Sequence, residues 1–398
     1  MLKAVIFDMD GVIIDSEPLH ARAAVLALQK YNLDVPLDYI YSFVGTTANS
    51  MCQTMINDFH IDAAPEELLA ANDAIKELLL KEEGYTAVPY VLDLIKDLYE
   101  HGVKLIIASS SPAASIEYVM DFFQIRNYFE GYVSGTTVAH PKPAPDIFLE
   151  AAKQLGVNPQ DCIIIEDSFH GVTAAAAAGI VSIGYVNPNS GNQDLKQCAI
   201  LVEGFDEIDY HFIIQTYLHA YMLPATILTT ERLLLRELSA EDVERLCMIS
   251  NKPEISEYVT GIGSNVALEK AKHEAYIKNV YHFYGYGLWG IFTLEGQLLI
   301  GRAGIEYRRI HQEDIYEIGY FIDPEHQGKG YATESVSAIL SYAFNTLALS
   351  KITAIIPKNN VRSQHLAEKV GMRRSGELTH QSRACYTYEI NREDAFHP

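Results

Sequence analysis

Asp8 and Asp10 stand one residue apart in FDMDG, where an apolar run ends and Gly11 follows directly. A carboxylate can attack phosphorus to give an aspartyl phosphate, splitting one difficult step into two. A second acid beside it can protonate the leaving oxygen and then deprotonate the attacking water. Three further stretches carry groups that suit this chemistry: Ser109 in LIIASSS, Lys142 in HPKPAPDIF, and Glu166 with Asp167 in IIIEDSFHG. Mg²⁺ takes hard carboxylate oxygens, and a phosphate bound to it takes a cation and hydroxyl or backbone donors. Each group alone has a plainer reading. DMDG could be a turn, Lys142 between two prolines a solvated loop lysine, and Ser109 to Ser111 a helix cap. An EF-hand loop is excluded, because Ile13 holds the place of its sixth-position glycine.

For these groups to meet, the elements carrying them must end at one rim. LKAVIFD, VKLIIAS, CIIIED and VSIGYV are continuous apolar runs, the pattern of strands buried on both faces of a parallel sheet. Helical stretches lie between them, such as PYVLDLIKDLYEHG and APDIFLEAAKQLG, each closed by a glycine. AAAAAG at Ala174 reads as a tightly packing helix. This alternation predicts an α/β fold with a doubly wound parallel sheet, its ligand crevice at the carboxyl ends of the strands. From about Ser16 to Glu83 only helical patterns occur, which predicts a helical cap inserted above that crevice. The expected core is residues 1–15 and 83–218, the cap 16–82, and a linker 219–225. A helix is expected to end near Met222, where Pro224 breaks it. From 226 to 398 the order is strand, helices, a hairpin around TLEGQLLIG, the strand IYEIGYFI, then helix, strand and helix, an α+β domain.

The whole chain limits the function classes. Its 398 residues suggest two or three domains. A net charge of −22 argues against nonspecific nucleic-acid or anionic-membrane binding. It also means that any phosphate pocket must rely on local cations. No apolar run reaches the roughly 18 residues of a membrane span, and Asp8 and Asp10 interrupt the N-terminal run too early for a signal peptide. Five scattered cysteines without a Cys-x-x-Cys pair read as reduced thiols. The expectation is a cytoplasmic protein without nucleic-acid or membrane partners.

FDMDGVIIDSEPLH, IIASSS, KPAPDIF and IEDSFHGVTAAAAAGI resemble the four motifs of the haloacid dehalogenase (HAD) superfamily. Their order and spacing are similar to its β-phosphoglucomutase-like branch, with a helical cap, over residues 1 to 215. The resemblance implies Asp8 as nucleophile and Asp10 as general acid/base. It implies Mg²⁺ on Asp8, the Asp10 backbone carbonyl and Asp167, with Glu166 beside it, and the phosphoryl group on Ser109 and Lys142. In the mutases a cap loop Gly-x-Ser-Arg holds the distal phosphate. Here the loop FVGTTANS offers Gly45, Thr46 and Thr47 but Ala48 in place of the arginine, and Ala71 stands where a second cap cation belongs. Without those cations a bisphosphate has little to hold it, so hydrolysis of a small, sugar phosphate-like monoester is expected over mutase chemistry. His20 is a hinge or pocket candidate, with a histidine satisfied by backbone as the plainer reading.

Two glycine-rich stretches lie in the second half. GYGLWG at Gly285 fits the dinucleotide fingerprint, but a strand hairpin and not a helix is expected after it. IGYFIDPEHQGKGYATES places Gln327, Gly328, Lys329 and Gly330 between a strand and an amphipathic helix, where N–H groups and the helix dipole make an anion cradle. With TTERLLLREL and NNVRSQHLAEKVGM, this stretch resembles the GNAT superfamily of acetyl-CoA-dependent N-acyltransferases, over residues 226 to 392. The resemblance implies that Gln327 to Ala332 bind the CoA pyrophosphate and that Asn360 and Ser363 lie along the pantetheine arm. Glu317 would take the ammonium proton; its plainer reading is an exposed strand carboxylate. Ala367 occupies the place of the family's tyrosine acid, leaving the proton donor unassigned. The acceptor amine is a small molecule or a protein N-terminus. Two alternatives stay open: a phosphosugar mutase in the first half, and a non-catalytic acetyl-CoA-binding module in the second.

Overall fold

The computed structural model describes residues 1–43, 48–310 and 312–395. The chain divides into two compact units, Met1–Tyr221 and Met222–Pro398.

The first unit is built on six parallel strands: β1 (Ala4–Phe7), β2 (Lys104–Ser109), β3 (Gly131–Ser134), β4 (Cys162–Glu166), β5 (Val181–Tyr185) and β6 (Ile200–Val202). Their order is β3-β2-β1-β4-β5-β6, so the chain winds away from β1 in both directions and opens a crevice at the strand ends. The uninterrupted apolar runs follow from burial on both faces. Val5, Phe7, Leu105, Ile107, Ile163 and Ile165 pack with Leu94, Ile95 and Leu98 of the helix Val91–Glu100. Ala4, Ile6, Ile106, Ala108, Cys162 and Ile164 pack on the other side with Phe148, Ala151 and Leu155 of Asp146–Leu155 and with Ala174 and Ala175 of Phe169–Ala178. Two short strands, β3 and β6, were not expected from the sequence.

Between β1 and the helix Val91–Glu100 the described residues form helices Glu17–Gln29, Leu37–Tyr41, Ala48–Phe59 and Pro65–Glu83, with an apolar cluster of their own that includes Leu28, Met55, Leu68 and Leu79. Isolated bridges pair Ile14 with Asp10 and with Ala87, tying together the two crossings that lead to and from these helices.

The second unit carries eight strands: β7 (Thr226–Thr229), β8 (Leu233–Arg236), β9 (Leu288–Thr293), β10 (Leu299–Ile310), β11 (Glu313–Ile322), β12 (Lys351–Pro357), β13 (Arg373–His380) and β14 (Arg383–Asn391). The order is β13-β14-β12-β11-β10-β9-β8-β7. Every neighbouring pair is antiparallel except β11 and β12, which run parallel and pair Glu317 with Thr353. Trp289, Ile305, Ile339 and Phe344 anchor the core between this sheet and the helix Tyr331–Asn345. Behind GYGLWG no helix opens, because Leu288 starts β9. The closing hairpin β13–β14 was not anticipated. No helix among the described residues is long and apolar enough to cross a membrane.

Candidate active sites

At the carboxyl end of the first sheet, β1 delivers Asp8 and β4 delivers Glu166 and Asp167. Oxygens of these three carboxylates lie within 4.8 Å of one another, and all three residues are buried. Lys142 is no solvated loop residue: its side chain is 5% exposed, and its ammonium donates to Asp8 Oδ1 at 2.6 Å and Glu166 Oε1 at 2.7 Å. The other oxygen of Glu166 accepts the backbone N–H groups of Asp167 and Ser168 at 2.7 and 2.9 Å, so Glu166 braces both the lysine and the turn after β4. Burial pushes the Asp8 carboxyl up to about 8 against the pull of Lys142, with Glu166 and Asp10 adding to the rise. Asp167 is likewise raised, by burial first and then by Glu166 and Asp8. Burial alone would lower the Lys142 ammonium, yet Asp8 and Glu166 hold it above the usual lysine range.

Three buried carboxylates against one buried ammonium leave a net negative site, which is costly in a low-dielectric interior without a further cation. Hard oxygen donors at this spacing suit Mg²⁺, and the residues therefore fit the ion that the sequence implied. Gly11 sits behind the cluster at φ +84°, and a Cβ there would collide with the Asp167 carboxylate. Glycine satisfies both the conformation and the close approach.

The Asp10 side chain lies outside that cluster. Its Oδ2 accepts the hydroxyls of Ser111 at 2.7 Å and Ser109 at 3.3 Å. The serines do not cap the next helix, Ala113–Phe122, whose N-cap position is Pro112. Two acids one residue apart thus occupy different environments, one against a lysine and one against hydroxyls. His20 is half-buried, its Nε2 has no partner, and burial, then the Lys76 charge, lowers its imidazolium to about 4. It is therefore a neutral, unsatisfied ring and not one held by backbone at that nitrogen. Gly45, Thr46, Thr47 and Ala48 were read as the cap loop; the first three lie outside the described residues.

Several groups here went unread in the sequence. Asn187 donates to the Gly11 carbonyl at 2.8 Å, Ser190 to Asp167 Oδ2 at 2.5 Å, and Asn189 to Asp15 at 2.7 Å. The polar run NPNSGN after β5 was the available signal. Lys76, on the helix that also carries Ala71, is a cation felt at both His20 and Glu17.

In the second unit a groove of about 780 Å³ runs past Gln327, Gly328, Gly330 and Ala332 to Asn360 and Ser363. Gly328 and Gly330 hold φ of +74° and +84°, which turns the chain sharply into Tyr331–Asn345 and leaves backbone bare at the helix start. The turn is braced: Gln327 donates to the Ile322 carbonyl at 2.9 Å and accepts from Arg362 at 3.0 Å, while Arg232 donates to the Lys329 carbonyl at 3.0 Å. Asn360 caps the helix Val361–Lys369 by accepting the Ser363 N–H at 3.2 Å, which fixes the Asn-x-x-Ser spacing.

The groove continues into a second cavity of about 250 Å³, and the two share Tyr258, Tyr320, Phe321, Asn360 and Ser363. Glu317 lines this second cavity. Its carboxylate is 15% exposed and lies 2.5 Å from Arg308 Nε. Neither atom makes an aligned hydrogen bond, so charge holds the pair. Across the strands Glu317 faces Glu306, which also pairs with Arg308, at 2.8 Å. Burial raises the Glu317 carboxyl, Arg308 opposes this and Glu306 reinforces it. Ala367 is buried. Tyr320 stands where the two cavities join, its hydroxyl donating to the Ser363 carbonyl at 3.2 Å, and burial pushes its phenol up to about 12.

Comparison with known proteins gives two family matches: haloacid dehalogenase-like hydrolase over residues 5–185, and acetyltransferase (GNAT) domain over residues 232–373. The chain is 33% identical over 180 residues to fructose-1-phosphate phosphatase YqaB of Escherichia coli (strain K12), covering 45% of this chain and 93% of that protein. It is 30% identical over 197 residues to hexitol phosphatase B of the same organism, covering 48% and 86%. A solved β-phosphoglucomutase from Clostridium difficile is 25% identical with a TM-score of 0.46, covering 56% of this chain and all of that one.

Proposed function

The chain belongs to the haloacid dehalogenase-like hydrolases through residues 5–185 and carries a GNAT acetyltransferase domain at 232–373, and from this we propose two separate reactions. The first is Mg²⁺-dependent hydrolysis of a small phosphomonoester; the second is acetyl transfer from acetyl-CoA to an amine. The observation that carries the first is the pairing of Asp8 with Lys142 at 2.6 Å beside Glu166 and Asp167, with Asp10 held apart by two serine hydroxyls.

In this reading an Asp8 oxygen attacks phosphorus while Asp10 hands its proton to the departing alkoxide. The aspartyl phosphate is then opened by a water that gives its proton to Asp10, and phosphate leaves Asp8 as a free carboxylate. Lys142 and Ser109 hold the transferring oxygens, and Asn187 and Ser190 fix the turn behind Gly11 and Asp167. A divalent ion on Asp8, the Asp10 carbonyl and Asp167 would neutralise charge on the phosphoryl group when bound. His20 would lie on the cap side of the pocket. The boundaries proposed are residues 1–15 and 83–218 for the core, 16–82 for the cap and 226–398 for the acetyltransferase. The relatives named for fructose 1-phosphate and hexitol phosphates favour a sugar or polyol phosphate. The Lys76 cation near His20 keeps a mutase as a second reading.

In the second site Glu317 takes the ammonium proton, the amine nitrogen attacks the thioester carbonyl, the departing thiolate collects a proton from Tyr320, and the nitrogen's second proton passes to the Tyr320 phenolate to leave the amide. The cofactor lies along Gln327 to Ala332, Asn360 and Ser363. The glycine turn and the shared cavity wall are the support for this arrangement.

The test uses the full chain with fructose 1-phosphate, a hexitol phosphate and β-glucose 1-phosphate, each with Mg²⁺ or excess EDTA, while CoA release is followed with a panel of amines. Phosphate release is expected to fall at least about a hundred-fold on chelation, with CoA release unchanged. Phosphate release indifferent to EDTA, or glucose 6-phosphate formed in place of phosphate, would defeat the hydrolase reading.

A further inference from the structure

The cavity that Glu317 lines is set apart by its charge. Among the described residues that line it are three arginines, Arg302, Arg308 and Arg383, and a single carboxylate residue, Glu317. Arg308 is spent on Glu317 and Glu306. The other two are not paired with any carboxylate among the described residues. Arg302 lies 5.0 Å from the centre of the Tyr276 ring and reaches the Leu288 carbonyl only at 3.4 Å. Arg383 spends one Nη on the Glu257 backbone carbonyl at 2.6 Å. His380 also borders the cavity and is kept towards its neutral form, by burial and then by Arg308, so it adds hydrogen-bonding capacity and no counter-charge.

Both arginines are half-buried, in a chain whose net charge is −22. Guanidinium groups partly withdrawn from water lose hydration that a peptide carbonyl or an aromatic face only partly restores. Their planar forks match a carboxylate or phosphate, which can accept two parallel bonds. A plain alkylamine or polyamine brings only positive charge to this wall and is repelled by it. At about 250 Å³ the cavity suits a small metabolite, below the size of common drug-binding pockets.

We infer that the acetyl acceptor is a small amine that also bears an anionic group, a carboxylate or a phosphate, seated against Arg302 and Arg383 while its nitrogen faces Glu317. This inference rests on the acyl-transfer reading of the second site for its chemistry, and on the cavity alone for its charge.

The test compares compounds of matched length on the full chain saturated with CoA: ethanolamine, ethanolamine phosphate and β-alanine, with glucosamine and glucosamine 6-phosphate as a larger pair and spermidine as the polyamine. Calorimetry gives affinity, and CoA release from acetyl-CoA gives turnover. At least one anionic member is expected to bind about ten-fold or more tightly than its neutral parent. Arg302→Gln and Arg383→Gln should each shrink that preference to within about three-fold through weaker binding of the anionic member alone. Retained CoA affinity and Tm in each variant show that it folds. Whether phosphate or carboxylate gains more names the anion. Equal or undetectable binding of anionic and neutral members, tighter binding of spermidine, or a preference that survives both substitutions would overturn the inference. A clear anionic preference without turnover of any amine supports the inference and defeats the acyl-transfer reading instead.

Discussion

Asp8→Asn should remove phosphate release almost completely, by on the order of 10⁴-fold or more, while acetyl transfer continues. The substitution keeps the shape of the side chain and removes its nucleophilic oxygen. Its carbonyl oxygen can still accept from the Lys142 ammonium, which the carboxylate does at 2.6 Å. Folding should survive, because the change removes a buried carboxylate that burial, then Glu166 and Asp10, already disfavour and that in turn repels Asp167. The variant's Tm without added metal should therefore equal or exceed that of the parent. Phosphate release above about one percent of the parent rate would exclude Asp8 as the nucleophile.

Glu317→Gln should lower the rate of acetyl transfer at neutral pH by about 10²- to 10³-fold and leave phosphate release untouched. The direction with pH follows from the carboxyl's surroundings. Burial raises Glu317 above the usual carboxylate range, Arg308 only partly opposing it, so the proton-accepting form is populated above that raised value. The parent rate should thus fall as pH drops through it, and the limb should lie higher than for an exposed glutamate. The glutamine variant should lack this limb and recover part of its rate at high pH, where the amine arrives already neutral. A parallel pH profile in the two proteins, measured by CoA release, would exclude Glu317 as the base.

What could be read from sequence followed from burial on both faces. AVIF, KLIIAS and CIIIE lack the polar alternation of a half-exposed strand, and the acids that end them were read as a rim. The strands that escaped notice had weaker patterns. Gly131–Ser134 is a four-residue segment opening on glycine, and Ile200–Val202 has three residues, two of them exposed. The closing hairpin is rich in arginine, and its register shifts between Arg374 and Gly376, so no clean period of two marks it.

Residues whose type suggests chemistry could be singled out in the sequence, whereas the partners they meet in the fold could not. Asp8, Lys142, Glu166 and Glu317 carry their chemistry in their type. Asn187 is joined to Gly11 across a separation of 176 residues, and only the folded sheet brings the two together. The same holds for Lys76 near His20, and for Arg302 and Arg383, which reach one cavity from β10 and β14. Ser111, for which a helix cap was the plainer reading, donates its hydroxyl to Asp10 instead.

The covalent step is the part of this account most open to direct test. The full chain is mixed with p-nitrophenyl phosphate and Mg²⁺, quenched in acid within one turnover, reduced with borohydride, digested and sequenced by mass spectrometry. The prediction is a reduced aspartyl residue at position 8 alone, absent when substrate or Mg²⁺ is omitted. Reduction at Asp10, a stable phosphate on Ser109, or phosphate release with position 8 unmodified would contradict it.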